Sequence, residues 1–100
     1  MLTSKQRAQL RKMANGIDTI FQIGKGSIGD NLIRQVDDAL EARELIKLRV
    51  LDNSLLGAGE AMSILCEKTG AQPVMSIGSR FVLYRESKDN KKIFFDSNLK

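Results

Sequence analysis

The stretch ELIKLRVLD alternates between apolar and basic residues in a way that few folds accommodate. Ile46, Leu48 and Val50 point to one side of a predicted strand, while Lys47 and Arg49 point to the other. Strands of a doubly wound parallel sheet are covered on both faces and read as nearly continuous apolar runs. This stretch therefore predicts a strand in a sheet that has one wet, basic face.

Hydrophobic periodicity predicts the order α-β-α-β-α-β-β for the whole chain. A capping-box pattern of Thr3 and Gln6 begins the first helix, Ser54 caps the third, and Gly70 ends it. Leu55 is placed on the apolar stripe of the third helix. The predicted helices cover residues 4–15, 28–42 and 55–69, and the predicted strands cover residues 18–23, 44–52, 74–77 and 80–86.

The connections between these elements predict a mixed sheet. Two β-α-β units indicate parallel pairings with crossover helices, whereas Gly78-Ser79 is typical of a two-residue turn between antiparallel strands. The first helix is expected to cover part of the sheet face that the other two leave open. The predicted fold class is a small α/β domain with helices packed on a four-stranded mixed sheet.

The length and composition predict a single domain. The chain has 100 residues, of which 42% are hydrophobic and 28% are charged, as is typical of a globular protein that buries its own core. We expect the core of the domain to cover about residues 2–87. The charged tail, residues 88–100, is expected either to add a short edge strand or to be mobile.

Residue usage excludes several kinds of chemistry. The chain has no histidine and only one cysteine, Cys66, which lies in an apolar run and is interpreted as a buried small hydrophobe. Internal disulfides, Cys-His metal clusters and His-dependent catalytic pairs are thereby excluded, and we expect neither an enzyme nor a cofactor. No apolar run approaches the roughly 18 residues of a membrane span, so a cytoplasmic protein is expected.

A glycine-rich loop raises the question of a nucleotide cofactor. Gly24, Gly26 and Gly29 spell G-x-G-x-x-G between a predicted strand and a predicted helix, and Asp52 follows near the end of the next strand. The full dinucleotide fold needs two mononucleotide-binding halves and strands that are apolar on both faces. This chain has neither the length nor a second strand of that kind, so no dinucleotide cofactor is expected.

The same loop can instead hold a phosphate of another kind. In this interpretation Gly24, Lys25, Gly26 and Ser27 form a tight loop, and Ser27 caps the second helix with Asp30 completing the capping box. Glycines let a backbone approach closely, Lys25 adds a charge, and the helix offers unpaired N–H groups. A plain strand-to-helix turn, in which glycine supplies positive φ, explains the letters equally well.

Several segments together resemble the CRM domain family (chloroplast RNA splicing and ribosome maturation), in particular its stand-alone bacterial YhbY-type members. The resemblance covers nearly the whole chain and rests on LTSKQRAQLRKMA, IGKGSIGDNLI, ALEARELIKLRV, EKTGAQPV and IGSRFVLYR. It implies a fold related to the C-terminal domain of bacterial translation initiation factor three. It also implies RNA binding and association with ribosomal RNA in precursors of the large subunit. The family's loop is G-x-x-G, from which Ser27 departs at the last position.

The basic residues that surround the loop are the candidate RNA-binding residues. The net charge of +4 and the pI of about 9.5 agree with an anionic partner. Aromatic residues are few, and Phe21, Phe81 and Tyr84 are assigned to the core, so binding is expected to depend on RNA backbone and shape. The candidate residues are Gly24, Lys25, Gly26, Ser27, Lys5, Arg11, Lys12, Lys47, Arg49, Arg80 and Arg85.

Two other functions are weighed against RNA binding by a monomer. Asp37, Asp38 and Glu41 form an acidic helix face that a ribosomal protein or another factor could bind, which would make the chain a protein-interaction module without direct RNA contact. Binding to duplex DNA is less favoured, because no predicted helix is rich in the Arg, Asn and Gln residues of a recognition helix.

Overall fold

The structure is a computed structural model that describes residues 2–26 and 28–95. It has three helices and four strands in the order α-β-α-β-α-β-β, which confirms the predicted fold class. The helices are α1 (Ser4–Ala14), α2 (Asp30–Arg43) and α3 (Ala58–Thr69), and the strands are β1 (Thr19–Ile23), β2 (Leu45–Val50), β3 (Gln72–Ile77) and β4 (Arg80–Tyr84). Within the described residues, no helix is long and apolar enough to cross a membrane.

The four strands form one mixed sheet in the order β1-β2-β4-β3. β1 pairs with β2 in parallel, and β4 pairs antiparallel with both β2 and β3. β2 and β3 run parallel to each other, as expected of the second β-α-β unit, but the expected direct pairing between them is wrong, because β4 lies between them. The Gly78-Ser79 turn returns the chain antiparallel to β3, and Gly78 adopts a positive φ of 58° that suits glycine.

Each face of the sheet has its own hydrophobic core. The main core lies between the sheet and the helices α2 and α3, and it includes the fully buried Leu40, Leu65 and Phe81. The second core lies between the sheet and α1, where Leu10 packs with Tyr84. α1 thus covers part of the face that α2 and α3 leave open, as the sequence predicts.

Helix α2 begins later than the sequence predicts. Its N-cap is Gly29, which has extended backbone and no side-chain cap, and the carbonyl of Gly29 accepts the N–H of Ile33 at 3.1 Å. The prediction that Ser27 caps this helix is therefore wrong, because the first helical hydrogen bond forms two residues further on. Ser27 itself lies outside the described residues.

Helix α3 also begins later, at Ala58. The hydroxyl of Ser54 accepts the N–H of Leu56 at 3.1 Å and donates to the Leu56 carbonyl at 3.0 Å, so it closes a local turn instead of capping a helix. Gly57 is the N-cap, and its N–H donates to the Glu60 carboxylate at 3.4 Å. Leu55 is 88% exposed and does not belong to the apolar stripe.

The described part of the C-terminal tail packs against the domain. Residues 88–95 form no strand, but Ile93 is buried in the second core. The ring of Phe95 meets the ring of Tyr84 edge to face, with 5.8 Å between the centroids. The packed domain therefore extends past residue 87, and residues 96–100 of the predicted tail lie outside the described residues.

Candidate nucleic-acid interface

Strand pairing brings two arginines together on the α1 face of the sheet. Arg49 of β2 lies directly opposite Arg80 of β4. Ile46, Leu48 and Val50 belong to the main core, so the alternation of β2 turns Arg49 to the opposite face. Like charges directly opposite each other on a sheet are destabilising. This pair is therefore suited to an anion that binds to both side chains.

The glycine-rich loop leaves the sheet at the same end. Ile23, the last residue of β1, pairs with Val50, which directly follows Arg49. The hydrogen bonds from Leu51 N–H to the Ile23 carbonyl (2.8 Å) and from Val50 N–H to the Ser79 carbonyl (2.7 Å) hold the strand ends together. The exposed Lys25 thus lies at the end of the sheet that carries Arg49 and Arg80.

The loop glycines are not required by the backbone conformation of the loop. In the described part of the chain, positive φ among glycines occurs at Gly70 and Gly78 and not in this loop. A Cβ at Gly26 would meet open space, and a Cβ at Gly24 would make only ordinary contacts of 3.7 Å. The plain-turn explanation therefore loses its physical basis. The space beside Gly26 is open to a ligand.

The basic residues of α1 fall into two groups. Arg11 and Lys12 lie in the last turn, next to Ala14 and Asn15, which share a cavity with Lys47 and Arg80. Lys5 lies in the first turn, about 10 Å along the helix axis from Lys12. The structure thus brings the end of α1 to the loop side of the sheet but leaves Lys5 apart.

Most of the candidate cations have no acidic partner. Within the described residues, the ion pairs are Arg85 with Asp37 and Lys91 with Glu86. We call Lys25, Lys47, Arg49 and Arg80 the cationic surface. Because no carboxylate of the described chain neutralises these four side chains, their charge is available to an external anion.

Arg85 is a structural residue of the main-core side of the sheet. Its guanidinium forms an ion pair with Asp37 and donates to the carbonyls of Thr69 at 2.7 Å and Asp37 at 3.1 Å. Its side chain is only 17% exposed. Arg85 therefore connects α2 with the end of α3 and does not join the cationic surface.

The acidic face of α2 also has partners within the chain. Asp37 pairs with Arg85, and Glu41 accepts hydrogen bonds from the Ser87 hydroxyl (2.6 Å) and from the N–H groups of Lys88 and Asp89 (3.1 Å each). The Ser87 hydroxyl and these two N–H groups lower the pKa of Glu41 to about 2. Asp37 and Glu41 are thus partly engaged within the chain, whereas Asp38 is exposed and the Asp37 side chain keeps 51% exposure.

Glu44 holds the C-terminal segment and was not recognised from the sequence. Its carboxylate is buried and accepts the N–H groups of Ser87, Lys92 and Ile93 at 2.7, 2.5 and 2.6 Å. Burial raises the pKa of Glu44, but the three donors outweigh it, so the pKa lies below its ordinary value. We call this arrangement the Glu44 clamp.

The chain matches the CRS1 / YhbY (CRM) domain over residues 2–85. The chain belongs to the CRM domain family. This match confirms the resemblance that the sequence predicts.

Individual members of the family align over most of the chain. It is 47% identical to the "Probable RNA-binding protein YqeI" of Bacillus subtilis over 93% of this chain and 97% of that protein. It is 27% identical to a Haemophilus influenzae "RNA-binding protein" over 90% of this chain and 91% of that protein. It is also 52% identical in sequence to the hypothetical protein SAV1595 from Staphylococcus aureus, whose solution structure superposes with a TM-score of 0.78. That alignment covers 96% of this chain and 100% of the SAV1595 chain.

Proposed function

We propose that this protein binds RNA through the cationic surface and the adjoining glycine-rich loop. The observation that carries the proposal is the cross-strand pair of Arg49 and Arg80, which lies at the sheet end where Lys25 projects. Lysine and arginine side chains without acidic partners favour phosphate oxygens. Membership of the CRM family and the RNA-binding names of two relatives support the same conclusion.

The manner of binding follows from the chemistry of this surface. The open space beside Gly26 admits a sugar-phosphate backbone, and Lys25 supplies a charge at the loop. Arg11 and Lys12 extend the contact along the end of α1. Affinity from such contacts comes largely from the release of counterions, so binding is strongly salt-dependent.

The RNA that we propose as the partner is ribosomal RNA in precursors of the large subunit. The support for this step is the resemblance to stand-alone bacterial YhbY-type proteins, and the protein would act there as a monomeric assembly factor without catalytic chemistry. A protein-interaction module that never touches RNA has less support, because Asp37 and Glu41 are engaged within the chain.

Sedimentation of cell extract on a sucrose gradient tests the proposal. We expect the wild-type protein to migrate with large-subunit precursors, and the Lys25→Glu/Gly26→Asp variant to remain at the top of the gradient. If both proteins migrate with the particles and neither binds purified ribosomal RNA, the interaction-module function is correct instead.

A further inference from the structure

A small cavity opens on the α1 face of the sheet, where α1 ends before it has covered the strands. The cavity has a volume of about 190 Å³ and is lined by Asn15 at the end of α1 and by residues of β2, β3 and β4. An apolar cavity of about 150 Å³ is large enough to hold a benzene ring. This cavity therefore has room for one aromatic ring.

The floor and one wall of the cavity are aliphatic. Val82 is buried beneath it, Met75 is half-buried beside it, and Ile77 is 67% exposed at its rim. Met75 pairs with Val82 and Ile77 pairs with Arg80, so all of these side chains share the α1 face. The exposed Ile77 side chain therefore gains free energy of burial when a flat apolar surface covers it.

The rest of the rim is polar and positively charged. Lys47 and Arg80 line the cavity, and Arg49 lies opposite Arg80 on the neighbouring strand. The side-chain amide of Asn15 makes no hydrogen bond to the described residues 2–26 and 28–95, and an amide can both donate to and accept from a base edge. Aliphatic floor, amide and cations therefore lie within one small site.

We propose that this cavity binds one unstacked nucleobase of a single-stranded RNA segment, whose flanking phosphates contact Lys47, Arg49 and Arg80. The inference rests on the proposed RNA-binding function and deepens it. Proteins that recognise single-stranded RNA read bases that are splayed out of the stack. Here aliphatic side chains take the place of the usual aromatic platform, because Phe81 and Tyr84 are buried in the two cores.

The test compares a short single-stranded RNA of mixed sequence with an abasic ribose-phosphate chain of the same length and charge. Wild type is expected to bind the RNA about tenfold more tightly than the abasic chain, because one base buries apolar surface against the aliphatic side chains. The Met75→Ala/Ile77→Ala variant should lose most of that difference, while its salt dependence stays that of wild type. Asn15→Ala, which changes an exposed residue, should lose part of the difference in affinity between the RNA and the abasic chain. Phe94→Ala removes another exposed apolar side chain and serves as the control.

The outcomes separate this inference from the function on which it rests. If wild type binds RNA and the abasic chain equally, with the expected salt dependence, RNA binding stands and the base site is wrong. If the base contribution persists in the Met75→Ala/Ile77→Ala and Asn15→Ala variants, the bases bind elsewhere and the inference is also overturned. If wild type binds neither polymer, both the base site and the proposed function are wrong.

Discussion

The backbone N–H of Ile93 donates a hydrogen bond of 2.6 Å to Oε1 of Glu44, which lies 49 positions earlier in the chain. Lys92 and Ser87 donate to the same carboxylate. Glu44 also has a positive φ of 67°, which is uncommon for a residue other than glycine. One buried side chain therefore connects the end of α2 with the C-terminal segment that seals the second core.

We expect Glu44→Ala to lower the free energy of unfolding by about 3 to 5 kcal/mol, because it leaves three N–H donors without their charged acceptor. Glu44→Gly should be less damaging by about 1 kcal/mol, since glycine tolerates left-handed backbone. Urea denaturation of the three proteins measures both differences. An alanine variant as stable as wild type would show that the Glu44 clamp contributes nothing.

Acid should weaken the docking of the C-terminal segment. The pKa of Glu41 is lowered to about 2 and the pKa of Glu44 also lies below its ordinary value, so both carboxyls bind protons more weakly in the folded chain. Their stabilising contribution is complete above their unfolded pKa, near 4.5, and is lost as the pH falls toward about 2.

Urea denaturation across this pH range checks the expectation. The free energy of unfolding of wild type should fall as the pH drops from about 5 to about 2. The Glu41→Gln/Glu44→Gln variant should be less stable at neutral pH and show a flatter profile. The same slope in both proteins would assign the acid sensitivity to other carboxyls.

Gly26→Ala separates the folding role of the loop from its binding role. A Cβ at Gly26 meets open space and its φ is not positive, so the alanine variant should be as stable as wild type or more stable by up to about 1 kcal/mol. RNA affinity should fall several-fold, because the added methyl group occupies the space beside the backbone. Unchanged affinity would show that no RNA approaches this glycine.

Arg85→Met should damage the fold and leave the RNA contacts intact. The variant loses the ion pair with Asp37 and the hydrogen bond to Thr69, at a cost of about 1 to 3 kcal/mol in unfolding free energy. The salt dependence of RNA binding should remain that of wild type. A shallower salt dependence with unchanged stability would return Arg85 to the RNA-binding residues.

Local patterns predicted the elements of this fold because each pattern is contained within one element. The alternation along β2 and the capping box of Thr3 and Gln6 are examples, and both occur in the structure. The strand order could not be predicted in the same way. Both the sequence and the connections allow either β3 or β4 to pair with β2. That β4 is the neighbour of β2 depends on packing between distant segments.

The site was predictable to the extent that it depends on local features. Lys47 and Arg49 were identified from alternation, whereas their meeting with Arg80 depends on the pairing of β2 with β4. The sequence prediction includes Arg85 in the site. Side chains alternate between the two faces of a strand, however, so Arg85 lies on the face opposite to Arg80, and this alternation is a signal that excludes it. Glu44 offers no such signal, because its partners are backbone groups that begin 43 residues later.

The central claim is that the cationic surface contacts RNA phosphates, and a salt titration of RNA affinity tests it most directly. Lys25→Gln/Arg49→Gln/Arg80→Gln removes three charges from the surface. Arg34→Gln/Lys68→Gln/Lys88→Gln removes three exposed charges from elsewhere and is the matched control. Each phosphate contact with a single strand contributes about 0.7 to the steepness with which log affinity decreases as log salt increases. The slope of the first variant should therefore be less steep than that of wild type by about 2. It should change little in the control. Equal slopes in the two variants would contradict the account.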